Sequence, residues 1–251
     1  MRAFLAGICA LALGGAALAD DIAANDEAAA LTEFRAAVAT AQQHADERYA
    51  FTLDFRDLTD GDGRVFRVRF DPRKPSGARW TAIDPPKDQY GKEEMAAFER
   101  MTRNDEADDS LVYEGLAEAL GETRLVSADA DRAVFAIPLS DPETPAAVKE
   151  ALAATATLDR KGGFIASVEI RSTRAFKPAA VAKIKAMRQL QRYGAPSGDG
   201  PALLIATESD AEGSAMFKSF ASKARLSYSD FEKVDAPPRA AKKSAANPSR
   251  P

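Results

Sequence analysis

The chain has 251 residues, with 45% hydrophobic residues, 29% charged residues and a formal net charge of −4. That composition excludes a disordered or fibrous protein, and the length suits one domain. The excess of acid argues against nucleic acid as the main partner.

Arg2 is followed by an apolar run from Phe4 to Leu13, then Ala17-Leu18-Ala19, with Asp20 and Asp21 directly after. This order predicts a secretory signal peptide cleaved after Ala19, and so a periplasmic protein. Asp20 ends the run short of the roughly 20 apolar residues of a membrane span, so no transmembrane segment is expected in the mature chain. Leu5 to Cys9 is a poor lipoprotein signal, because bulky Ile8 stands where a small residue is wanted. Cleavage removes Cys9, the only cysteine, and with it disulfide and thiolate chemistry. The expected organisation is a signal peptide over 1–19, a single domain over 20–235 and a disordered basic Pro/Ala/Lys tail over 236–251. Removing Arg2 and the tail bases Arg239, Lys242, Lys243 and Arg250 leaves 29 bases against 38 acids.

Residues 27–48 carry Leu31, Phe34, Val38 and Ala41 at helical spacing, with Asn25 or Asp26 as the expected cap. The period then becomes two. Tyr49, Phe51, Leu53 and Phe55 alternate with polar positions, and Phe66, Val68 and Phe70 do so after the turn 57–63. This predicts a hairpin. A third strand over 79–83 carries Trp80, the only tryptophan. Residues 92–103 place Met95, Phe98 and Met101 on one helical stripe. An acidic loop over 104–109 is expected to be solvated, and a short helix over 111–120 to end at Gly121. A strand pair is expected over 123–127 and 132–139. A helix starts at Thr144-Pro145, with Thr as cap, and runs to about Leu152. Residues 154–159 and 164–172 form the next hairpin. Residues 177–193 fit helix by propensity and strand by alternation. Closing strands are expected at 201–207, 214–221 and 225–234, the first two joined at 209–213. The fold class is α+β: a large curved antiparallel sheet, a half-open β-barrel, with a few helices on its concave side.

Chemical signals are sparse. His44, the only histidine, falls on the polar side of the first helix and has no nucleophile motif beside it. Asp57, Asp60 and Asp62 among glycines suit a turn better than a calcium loop, since no terminal Glu follows. The carboxylates at 105–109 read as a solvated run. No cofactor, metal site or enzymatic activity is expected. Arg56, Arg67 and Arg69 border the first hairpin, where they would meet headgroups or an acidic partner, or simply face water. Phe51, Phe55, Phe66, Val68, Phe70 and Trp80 crowd one face, either as core or as the lining of an apolar cavity.

The exported start, the N-terminal helix, the aromatic hairpin over 49–70, the segment 111–138 and the hairpin 154–172 together resemble the periplasmic lipoprotein-carrier (LolA-like) superfamily. The resemblance covers most of the mature chain and rests on order and alternation. It implies a half-open barrel lidded by helices that binds acyl chains, and it makes 182–193 a strand. The expected ligand is then a lipid or acylated protein, with peripheral contact to membranes. The alternative is a scaffold or interaction module of the envelope without a small-molecule ligand.

Overall fold

The computed structural model describes residues 15–59, 63, 65–103, 107–139, 144–179, 181–216 and 218–237. A long helix α1 (Gly15–Gln43) leads into β1 (Tyr49–Asp57), β2 (Val65–Phe70) and β3 (Trp80–Asp84). A 3₁₀ turn (Lys87–Gln89) and helix α2 (Lys92–Met101) follow, then 3₁₀ segments at Ala107–Ser110 and Glu114–Glu122. Strands β4 (Arg124–Ala128) and β5 (Arg132–Ile137) precede a single turn of helix, α3 (Ala146–Lys149). The chain closes with β6 (Leu152–Asp159), β7 (Phe164–Ser172), β8 (Phe176–Ala179), β9 (Ala182–Tyr193), β10 (Leu204–Ala215) and β11 (Lys218–Lys233).

The strands form one 11-stranded sheet in the order β3-β2-β1-β11-β10-β9-β7-β6-β5-β4, with β8 beside β9. Every pairing is antiparallel. The chain starts mid-sheet, builds outward to β3, crosses to β4 and returns to lay β11 against β1. The sheet is curved and does not close, which is the α+β architecture expected from the alternation of faces.

One face carries the core. On α1, Ala30, Phe34, Ala37, Val38 and Ala41 are buried, the stripe that a 3.6-residue period presents to a sheet. Phe34 stacks on Phe135 of β5 with centroids 4.5 Å apart. Ala133, Ala156 and Leu158 are buried on the same face of the sheet as Phe135. Arg160 at the β6–β7 turn donates to Glu33 at 2.9 and 3.2 Å and to Asp26 at 3.2 Å, tying the helix down. The opposite face is polar, with a ladder in which Arg188 meets Glu169 at 3.2 Å and Glu208 at 3.8 Å.

Several expectations are corrected. Helix α1 ends at Gln43 and runs through Asn25 and Asp26, so neither residue caps it. Helix α3 is only four residues, and its N-cap position is Pro145, not Thr144. The segment after Tyr113 is 3₁₀, not α. The closing strands are two long ones, β10 and β11, rather than three. The turn lies past Ala215, and Gly213 is within a strand. A Cβ there would stand 2.4 Å from the Lys183 carbonyl oxygen and 2.8 Å from Cζ of Phe220. Glycine at that position serves close packing, not a turn. Strand β8 was not foreseen. Residues 182–193 are strand β9, as the resemblance implied. Residues 1–14, Asp60, Asp62 and the tail from 238 lie outside the described residues.

Candidate functional site

The aromatic residues of the first hairpin lie together on the core side of the sheet. Antiparallel register puts Phe51 opposite Phe70, Leu53 opposite Val68 and Phe55 opposite Phe66. Trp80 lies opposite Phe70. On the other flank Phe55 faces Leu226 and Leu53 faces Tyr228. Phe51 is the hub: its ring lies 5.2 Å from Phe70, 5.9 Å from Trp80, 5.6 Å from Tyr228 and 6.4 Å from Phe231. Phe66 meets Tyr90 edge-on at 5.5 Å, and Tyr90 meets Phe98 of α2 at 5.5 Å. Such tilted and edge contacts are favoured for aromatic quadrupoles.

These residues divide by depth. Phe51, Phe66, Val68 and Phe70 are buried. Phe55, Trp80, Tyr90, Tyr228 and Phe231 are only half-buried. They share the core-side face of β1–β3 and β11, and α2 adjoins it through the Tyr90–Phe98 contact. The buried Tyr90 hydroxyl has no hydrogen-bond partner among the described residues. Burial, then the nearby Asp84 charge, raises its pKa. An orphaned hydroxyl in apolar surroundings costs about 1–3 kcal/mol.

A cleft of about 590 Å³ is lined by His44, Glu47, Tyr49, Ser197, Asp199, Gly200, Pro201, Leu203, Phe231 and Lys233. Phe231 belongs to both the cleft and the aromatic cluster. Glu47 accepts from His44 Nδ1 at 2.8 Å, from Lys233 Nζ at 2.5 Å and from the Tyr49 hydroxyl. Burial opposes its ionisation, but the hydrogen bonds from Lys233, Tyr49 and His44 outweigh burial and hold its pKa at about 2. A carboxylate held so low is a poor general base at neutral pH; its donors make it a clasp between the end of α1, β1 and β11. Burial first, then the Glu47 carboxylate, pushes the Tyr49 hydroxyl well above its ordinary value. His44, expected in solvent, is part-buried and held by this clasp.

Beside the clasp is a buried ion pair. Arg48 donates from Nε to Asp108 Oδ2 at 2.7 Å and from Nη2 to Oδ1 at 3.2 Å. The Tyr49 amide donates to the same carboxylate at 3.2 Å, and Arg48 Nη1 to the Pro237 carbonyl at 2.5 Å. Asp108 is 1% exposed, which corrects the reading of 104–109 as a wholly solvated acidic loop. One carboxylate of that run folds inward to neutralise an arginine 60 residues away.

The hairpin arginines sit on the outer face. Arg67 is bidentate to Asp54 at 2.7 and 3.0 Å. Arg69 donates to the Asp230 carbonyl at 2.8 Å and to Glu232 at 3.2 Å. Arg56 is exposed, opposite Arg225. Among the described residues no group of three His, Cys, Asp or Glu side chains could hold a metal ion. Sequence reasoning missed Tyr90, Tyr228, Phe231 and the Glu47 clasp. Phe231 was hidden by a bulge, marked by Asp230 at φ 52° and a register shift between Ala50 and Thr52, which offsets the alternation. Comparison with family models, with curated proteins and with solved structures finds no match for this chain.

Proposed function

We propose that the protein is exported to the periplasm and holds a hydrophobic ligand, a lipid or the acyl chain of a lipoprotein, against the aromatic face of β1–β3 and β11 beside α2. The observation that carries this reading is the row of half-buried aromatic residues around a buried Tyr90 hydroxyl that lacks a partner. An acyl chain with an ester or carboxyl end supplies both missing parts: methylenes for the rings and an acceptor for the hydroxyl. Each buried methylene contributes about 0.8 kcal/mol, so affinity needs no catalytic group. The resemblance to lipoprotein carriers points the same way. Full burial of Phe51, Val68 and Phe70 favours a second reading, an envelope interaction module with a filled interior.

Native mass spectrometry on protein purified from the exported fraction without detergent separates the two. A mass excess that releases a lipid on denaturation supports the carrier. A clean apo mass, repeated after incubation with phospholipid, supports the module. Export is tested in the same preparation: a mature N-terminus at Asp20 is expected, and an intact N-terminus would contradict it.

A further inference from the structure

The β9–β10–β11 ladder outruns the rest of the sheet. Pairing of β1 with β11 ends at Asp57 opposite Ala224, and pairing of β7 with β9 ends at Arg171 opposite Arg188. Strands β10 and β11 stay paired out to Ala215 opposite Lys218. The overhang, residues 218–222 on β11, is roughly 16 Å long at about 3.3 Å per residue. The Met216 amide donates to the Val181 carbonyl at 2.9 Å. The β8–β9 turn and the β10–β11 turn therefore form a single tip.

This tip is apolar where a soluble hairpin end is usually polar. Met216 is 73% exposed, Val181 63% and Phe220 36%. Met216 also has φ 49°, a left-handed conformation that Gly or Asn adopts more readily. Around it bases outnumber acids: residues 170–198 hold seven bases and no acid, and residues 210–229 hold three bases beside Asp210 and Glu212. Lys177, Lys183, Lys185, Lys218 and Lys223 are exposed, and none of them has an ion-pair partner among the described residues. The whole chain, by contrast, has 38 acids against 34 bases.

An apolar point ringed by unpaired lysines complements a bilayer face that carries anionic phospholipid. Such a surface attracts lysines within a Debye length and takes apolar side chains into its headgroup boundary. The acid-rich remainder of the protein is repelled by it, which orients the molecule tip first. We infer that the paired β8–β9 and β10–β11 turns dock the protein on an anionic membrane, with Val181, Met216 and Phe220 in the headgroup boundary and the lysines on lipid phosphates. This inference stands whether or not the aromatic face holds a ligand.

Vesicle flotation tests it. The purified chain floats with phosphatidylcholine vesicles containing phosphatidylglycerol and stays behind with phosphatidylcholine alone. The K183Q/K185Q variant lowers the partition coefficient about 25-fold, at about fivefold per lysine. The V181S/M216S variant also lowers it, and it leaves any mass excess in native mass spectrometry unchanged. All four positions are exposed, so unchanged far-ultraviolet circular dichroism is expected. Absence of flotation with phosphatidylglycerol vesicles, as for a tip that serves an acidic protein partner, overturns the inference. So does flotation that neither variant weakens.

Discussion

The two halves of the core face are covered in different ways. Over β4–β7 the sheet presents Phe135 and Leu158 beside the small Ala133 and Ala156, all buried, and α1 packs there with Phe34 stacked on Phe135. Over β1–β3 and β11 the sheet presents rings, and the short helix α2 reaches them through Tyr90 of the preceding turn, which meets Phe98 on one side and Phe66 on the other. The first arrangement leaves a filled, apolar interface. The second buries Phe51, Phe66 and Phe70 but leaves Phe55, Trp80, Tyr228 and Phe231 half-buried.

Substitutions should separate the halves. Asp108→Ala leaves the buried Arg48 guanidinium without its carboxylate and should cost about 3–5 kcal/mol. Phe34→Ala removes a fully buried ring under α1 and should cost about 3–5 kcal/mol. Urea denaturation of both variants measures these losses, and a native-like midpoint in either would remove the assigned packing role. Phe55→Ala, in the half-covered row, should cost only about 1–2 kcal/mol while weakening lipid retention in native mass spectrometry. A loss as large as that of Phe34→Ala would place Phe55 in the structural core instead. Tyr90→Phe removes the orphaned hydroxyl and should raise the stability of the ligand-free protein by about 1 kcal/mol. A lower midpoint would mean that the hydroxyl has an acceptor.

The clasp that joins the halves has its own signature in pH. Glu47 ionises at about 2 in the folded protein against 4.5 ordinarily. Its contribution is therefore complete above about pH 4.5 and is lost as pH falls towards 2, by an amount of the order of 2 kcal/mol. The Glu47→Gln variant should flatten the fall in stability over that window. A wild-type slope in the variant would place the titration elsewhere.

The sheet was legible in the sequence because a half-buried strand alternates: Phe51, Leu53 and Phe55 identify β1, and Phe66, Val68 and Phe70 identify β2. The cover was less legible. Tyr90 stands alone in a turn, so no periodicity announces it, and Phe231 is out of phase because of the bulge at Asp230. Asp108 looked like its acidic neighbours; only its pairing with Arg48, distant in sequence, sets it apart. The long β10–β11 hairpin was misread at Gly213, since a glycine required by the packing of Phe220 resembles a glycine required by a turn. The tip lysines are plain in the sequence, but their convergence depends on two turns that meet only in the fold.

Trp80 is the only tryptophan, and it belongs to the aromatic face, 5.9 Å from Phe51 and 5.0 Å from Phe70. Its fluorescence reports on that site alone. Titration with a phospholipid brominated along its acyl chains should quench Trp80 emission saturably, and Phe55→Asp should abolish the effect. Unquenched emission in the presence of lipid that the protein demonstrably binds would place the ligand elsewhere and contradict the aromatic face as its site.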